Sequence, residues 1–238
     1  MEQQTWDMDF LRPEVQQEYQ DCIMVLVEKL RQFAEQQQAE LHRELVSQIA
    51  WRLKSEQSIL AKLRRKKREK TNDNIYRYIN DLAGIRVVCL YLDDVDRVRA
   101  FLEKLPDIRV LKIKDFIKKP KNSGYQSLHM QVQFPNMRKV EIQIRTMGMD
   151  YWSVMEHELQ YKKKSKIGRS LHKELLACAS DMRRMDERMQ NMRRLLDKQH
   201  RENTEKNCCR AQLQQFFCCF LDWLRDGVLH GIMVGNAR

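Results

Sequence analysis

The sequence predicts a layered α/β or α+β fold in which at least four strands alternate with helices. Three stretches carry that prediction. Residues 85–92, inside DLAGIRVVCLYLDD, form a nearly unbroken apolar run rich in β-branched side chains, the pattern of a strand buried on both faces. Residues 128–134 and 140–144 alternate apolar and polar by twos around Pro135-Asn136-Met137-Arg138, the pattern of an antiparallel hairpin. From Pro13 to about Leu45, Ile23, Leu26, Leu30 and Phe33 keep helical spacing under a Gln-rich outer face.

The first element is therefore an amphipathic helix. A second begins near Ile49, and Arg52, Lys54, Ser58 and Lys62 then space cations and a hydroxyl over one strand end and the following helical turns. Such a set can grip a triphosphate. From Lys62 to Lys70 the chain carries seven positive charges in nine residues. A charge run is ordinarily a solvated face, but this density also suits phosphate. Thr71-Asn-Asp-Asn74 reads as a loop or helix end. Asp81 precedes the buried strand Ile85 to Leu92, whose one cation, Arg86, needs a partner because burying it alone is costly. Val95 to Lys104 reads as a helix and Ile108 to Ile117 as a further strand.

The hairpin's second face is the unusual one. Opposite Leu128, Met130, Val132, Phe134, Val140, Ile142 and Ile144 it carries His129, Gln131, Gln133, Glu141, Gln143 and Arg145. Pairing Phe134 with Val140 sets Gln131 against Gln143 and His129 against Arg145, and a two-residue slip keeps the same residues together. A carboxylate among amides, an imidazole and a guanidinium can hold a metal and orient a polyphosphate. The turn Lys118-Lys-Pro-Lys121-Asn-Ser-Gly-Tyr125 adds cations beside an exposed aromatic able to stack a base. Two phosphate grips, two carboxylates and one stacking platform are the parts needed for phosphoryl transfer between two nucleotides.

At 238 residues, the chain suits one globular domain with extensions. Its 44 Lys and Arg against 33 Asp and Glu leave a net charge of +11, so an anionic partner is expected. The first twenty residues lack the basic and apolar regions of an export signal. FFCCFLDWLRDGVLHGIMVG is interrupted by Asp222, Arg225 and Asp226 and makes a poor membrane span. Seven cysteines without an export signal point to reduced thiols in a cytoplasm. The pairs Cys208-Cys209 and Cys218-Cys219 lack the spacing of a zinc site. From Leu171, the residues Leu175, Cys178, Met182, Met185, Met189, Met192 and Leu196 recur at intervals of three and four, a heptad seam for packing on the domain or for self-association. The division expected is a helical extension over 1–48, a catalytic domain over 49–165, a heptad helix over 166–206 and a tail without period over 207–238.

Five motifs in order over roughly 110 residues resemble the RelA/SpoT family of (p)ppGpp synthetases, and its stand-alone small alarmone synthetases most of all. They are RLKSEQS (Arg52 to Ser58) with Lys62, DLAGIR (Asp81 to Arg86), KNSGYQSLH (Lys121 to His129), VEIQIRT (Val140 to Thr146) and MDYWSVMEHELQYK (Met149 to Lys162). The resemblance implies an α+β fold, a mixed sheet flanked by helices and similar to nucleotidyltransferases. It also implies transfer of the β,γ-diphosphate of ATP to the 3′-OH of GDP or GTP.

Carried over by residue, the resemblance assigns Arg52 and Arg86 to sandwiching adenine, and Lys54, Ser58, Lys62 and Arg65 to the ATP phosphates. Asp81 and Glu141 become Mg2+ ligands, and Glu141 the general base. Tyr125 stacks guanine and Asp150 accepts from its N1–H and N2–H, with Lys121, His129, Gln143 and Arg145 completing the GDP or GTP site. The chain departs from the family at Gln126, where many members carry Arg, which removes a charge near the acceptor phosphates and leaves GDP against GTP open. None of the six histidines is followed by Asp, so the His-Asp hydrolase of the bifunctional members is not expected. Homotetramers built through terminal helices are common among the small synthetases. Two alternatives remain: a relative that modifies tRNA 3′ ends or makes adenosine alarmones, and a non-catalytic protein binding single-stranded RNA or tRNA.

Overall fold

The computed structural model describes residues 7–162 and 170–199, so the expected tail and its paired cysteines lie outside the described residues. The chain divides into two compact units, Met1–Gln190 and Asn191–Arg238. In the first, α1 (Pro13–Leu41), β1 (Val46–Leu53), α2 (Glu56–Arg65), α3 (Asn72–Tyr78), β2 (Ala83–Cys89), α4 (Leu92–Glu103), β3 (Arg109–Asp115), β4 (Leu128–Gln133), β5 (Lys139–Thr146) and α5 (Met147–Lys162) follow in order. Helical residues follow over 170–199, and α6 denotes their part in the first unit, 170–190.

The five strands form one sheet in the order β1-β2-β5-β4-β3. Only β2 and β5 run parallel, so the sheet is mixed. This is the expected α+β arrangement. One face is apolar: Ile85, Val87, Met130, Val132, Val140, Ile142 and Ile144 are at most 1% exposed, and α1 and α4 pack over the sheet. α1 buries Ile23, Leu26 and Leu30 completely and stacks Phe33 on Phe101 with ring centroids 4.3 Å apart.

Several boundaries differ from the sequence expectation for identifiable reasons. α1 ends at Leu41 rather than near Leu45, because His42 takes a left-handed backbone (φ 52) and Arg43 turns away to a two-pronged pair with the buried Asp94. Thr71 starts a helix instead of ending one: its side chain accepts the Asn74 N–H at 3.2 Å and caps α3. β2 is not buried on both faces throughout, since Gly84 and Arg86 open onto the sheet's polar face. The hairpin takes the register in which Val132, not Phe134, faces Val140, setting Gln131 opposite Glu141 and His129 opposite Gln143. Phe134 belongs to the turn, where its carbonyl accepts the Met137 N–H and its N–H donates to Arg138.

α6 lies on the domain through one residue of the apolar seam, Leu175, and through positions outside the seam, while the seam's later methionines are exposed. Its buried positions are Leu175, Ala179 and Gln190, while the seam residues Met185 and Met189 are 58% and 45% exposed. Gly124, with φ 90, sits beneath it, and a Cβ there would come within 2.7 Å of Ala179 Cβ.

Candidate active site

Register places residues of all five strands in rows across one face. One row runs Arg52, Gly84, Glu141, Gln131 and Lys112, and the next runs Ala50, Arg86, Gln143, His129 and Lys114. Gly84 leaves a slot between Arg52 and Glu141, because a Cβ there would meet only the Glu141 carbonyl, at 3.8 Å.

Asp81 stands at the entrance to β2. The Lys54 N–H donates to the Leu82 carbonyl at 2.8 Å, which ties the end of β1 to this turn. The Lys54 and Lys62 ammoniums then reach the two Asp81 oxygens at 2.9 and 2.6 Å. Burial alone would raise the Asp81 carboxyl, yet hydrogen bonds from Lys62 and Lys54 hold it below its ordinary value. Ser55 caps α2 by accepting the Ser58 N–H, and the two hydroxyls lie 2.9 Å apart. Ser58, Arg65 and Arg52 are exposed.

Glu141 anchors a second network. Gln143 Nε2 donates to it at 3.0 Å, and His129 Nδ1 lies 3.4 Å from its other oxygen. Tyr125 Oη is 2.8 Å from His129 Nε2. The tautomer that suits both neighbours carries its proton on Nδ1 and accepts the tyrosine hydroxyl at Nε2. Burial alone would raise Glu141, but His129 and Gln143 hold it below the ordinary carboxylate value, against the opposing charge of Asp81. The two carboxylates therefore share one field.

Beyond Gln143, Arg145 Nη2 donates to the Gln143 side-chain Oε1 at 2.6 Å. Asp150, from the first turn of α5, sets Oδ1 between Arg86 Nε and Arg145 Nε at 3.5 and 3.6 Å. All three atoms are buried and make no hydrogen bond among the described residues. Arg86 thus finds its counterion in Asp150. Burial lowers the Arg145 guanidinium, and the charges of Arg86 and Arg52 act in the same direction.

Tyr125 is half-buried, not the exposed platform expected. The turn in which Gly124 N–H donates to the Lys121 carbonyl brings Lys121 Nζ to 4.4 Å from the Tyr125 ring centroid. Burial raises the Tyr125 hydroxyl and lowers the Lys121 ammonium, which also feels Glu141, Lys114 and Arg65. Gln126 does not face this site. It is buried and donates to the Ala179 carbonyl at 3.4 Å, beneath α6.

The structure thus gathers twelve expected residues on or around one face: Arg52, Lys54, Lys62, Arg65, Asp81, Arg86, Lys121, Tyr125, His129, Glu141, Gln143 and Arg145, with Asp150 on α5 and Ser58 on α2 at its edges. It adds Phe116, which meets His129 edge-on at 5.2 Å and carries Lys121 over its ring at 4.6 Å. An aromatic beside the basic turn was the available signal for it.

Comparison with known proteins agrees with this geometry. A family description, a region found in RelA / SpoT proteins, matches residues 51–166. GTP pyrophosphokinase YwaC of Bacillus subtilis is 37% identical over 153 residues, 61% of this chain and 73% of that protein. GTP pyrophosphokinase YjbM of the same organism is 30% identical over 200 residues, 81% of this chain and 90% of that protein. The crystal structure of small alarmone synthetase 1 from Bacillus subtilis, bound to its product pppGpp, matches with a TM-score of 0.66 at 31% identity, covering 74% of this chain and 92% of that one.

Proposed function

The chain belongs to the RelA/SpoT family, and from that premise we propose that it is a GTP diphosphokinase, transferring the β,γ-diphosphate of ATP to the 3′-OH of GDP or GTP to make ppGpp and pppGpp, the alarmones of the stringent response. The observation that carries this reading is that two carboxylates, Asp81 and Glu141, feel one another on a face rich in Lys and Arg. A protein that only bound RNA would have no use for two carboxylates set where phosphates are drawn.

Asp81 and Glu141 fit a Mg2+ ion, which takes one or two carboxylates and completes its shell with phosphate oxygens and water. No group of three or more His, Cys, Asp or Glu among the described residues could form an all-protein cage. Bound there, the ion supplies charge neutralisation for the transferred diphosphate. Lys54 and Lys62, which neutralise Asp81 in this structure, turn to the ATP phosphates. Arg52 and Arg86 flank the Gly84 slot and hold adenine, with Ser58 and Arg65 at the phosphate end.

On the acceptor side, Tyr125 stacks guanine and Lys121 and Arg145 meet the acceptor phosphates. Asp150 accepts from guanine N1–H and N2–H, a donor pair adenine lacks. Glu141 takes the proton from the 3′-OH, and Gln143 and His129 orient it for that task. The catalytic part spans 49–165 under this reading, between helical extensions, and the cytoplasm is its compartment. Among the described residues, no helix is long and apolar enough to cross a membrane.

The test is direct. Purified protein with γ-labelled ATP and Mg2+ is expected to label GDP or GTP. Label appearing in tRNA instead would favour the alternative for which the exposed cations from Arg64 to Lys70 speak. No labelled acceptor at all would overturn the assignment.

Assembly into a homotetramer belongs to the same proposal. Met185 and Met189 leave an apolar stripe on α6 that the domain does not cover. Replacing both with Glu is expected to shift the protein to smaller species in light scattering while circular dichroism keeps its helical signal. Unchanged mass would remove α6 from the interface.

A further inference from the structure

α6 does more than rest on the domain. Its Asp186 reaches the first turn of α5, the turn that carries Asp150. Thr146, the last residue of β5, is fully buried and caps that turn: its Oγ1 accepts the Met149 N–H at 3.2 Å. The same hydroxyl donates its proton to Asp186 Oδ2 at 2.5 Å. The donor and acceptor capacities of the threonine are thus both used, and the direction of its O–H is set by Asp186. A second contact is independent of that hydrogen bond. Gly148 lies so close that a Cβ there would stand 3.0 Å from Asp186 Oδ1. The carboxylate is wedged against the backbone of the helix start, where the free N–H groups favour a negative charge.

We propose that Asp186 is a positioning residue for the acceptor site: through Thr146 and Gly148 it fixes the first turn of α5, and so the place of the Asp150 carboxylate between Arg86 and Arg145. The inference rests on the reading of Asp150 as the group that receives the acceptor's guanine. Among the described residues, Asp150 Oδ1 has two long ionic contacts, 3.5 and 3.6 Å, and no hydrogen bond to fix its angle. Its aim is therefore set by its backbone, and the backbone by the cap. A shift of the α5 start would move the guanine acceptor while the ATP grips on β1 and α2 stayed in place.

A second tether separates this role from simple docking of α6. Gln190 Oε1 accepts the Asp93 N–H at 3.0 Å and its Nε2 donates to Asp93 Oδ2 at 2.7 Å, at the start of α4 and away from α5. The experiment compares Asp186→Ala, Thr146→Val, Thr146→Ser and Gln190→Ala, reading KM for GDP, KM for ATP and hydrogen exchange of the Met149 amide. Asp186→Ala and Thr146→Val are expected to raise the KM for GDP roughly tenfold, to leave the KM for ATP unchanged and to speed exchange at Met149. Thr146→Ser keeps the hydroxyl and is expected to behave as wild type, as is Gln190→Ala.

The proposal is overturned if Asp186→Ala leaves Met149 exchange and the GDP KM as they were, or if Gln190→Ala raises the GDP KM as much. A parallel rise for ATP and GDP overturns it too. Should the unaltered protein label no nucleotide acceptor, the functional reading has failed on its own. Met149 exchange then still decides whether Asp186 holds the turn.

Discussion

Replacing Glu141 with Gln should lower diphosphate transfer from ATP to GDP about a thousandfold, with the fold retained. The amide keeps the shape of the side chain and can still accept from Gln143, 3.0 Å away. It loses the charge that would hold the metal and the basicity that would take the 3′-OH proton. Near-normal turnover in the variant would remove Glu141 from the chemistry. The same substitution has a signature in stability against pH. Glu141 and Asp81 both sit below their ordinary values in the folded protein. Their contribution is therefore complete above the ordinary carboxylate value of about 4 and is lost as pH falls through the lower, folded values. Thermal melting of the unaltered protein should fall below about pH 4 more steeply than that of Glu141→Gln. Parallel curves would mean that the Glu141 carboxylate adds nothing to the fold.

The other large effect is expected at Asp150. Asp150→Asn should lower kcat/KM for GDP on the order of 10²- to 10³-fold, because two charge-assisted acceptor bonds become one neutral bond and one donor facing a donor. Inosine diphosphate keeps N1–H but lacks the N2 amino group. It should lose less, so the ratio of the two acceptors changes while the KM for ATP holds. Asp150 also serves as the counterion of Arg86 and Arg145. If GDP and inosine diphosphate decline together, that ionic role is the whole of its contribution and it reads no base.

Much of the site was legible before any coordinates. Strand alternation has a period of two, so Glu141, Gln143, Arg145 and His129 share a face in every register that differs by an even number of residues. The register itself was not legible. It depended on Phe134 entering the turn, where hydrogen bonds to Met137 and Arg138 replaced ladder bonds. Thr71 reads in the sequence as a loop or helix end because a cap and a loop use the same residue types, and only the Asn74 N–H on its hydroxyl distinguishes them.

α6 shows the limit more clearly. Apolar periodicity found the stripe through Met185 and Met189 correctly, but that stripe faces outward. The helix docks through the seam residue Leu175 together with Ala179, Asp186 and Gln190, a face half made of polar groups. Hydrophobic spacing cannot register contacts that hydrogen bonds make, so it finds Leu175 but not the polar half of the docked face. Gln126 departs from the family pattern as a lost charge, and the tertiary structure puts its side chain in a buried contact with α6.

The order of side chains along each strand and helix decides which groups share a face, because that depends on local backbone geometry alone. That much is written in the chain: the carboxylates, the cations and the polar side of the hairpin. Which of these groups meet across the sheet is a different matter. Asp81 shares a field with Glu141 only because β2 runs parallel beside β5, and Arg86 finds Asp150 only because α5 starts where β5 ends. Strand order and register come from long-range packing and ladder hydrogen bonds between segments far apart in the chain, and no local period encodes them.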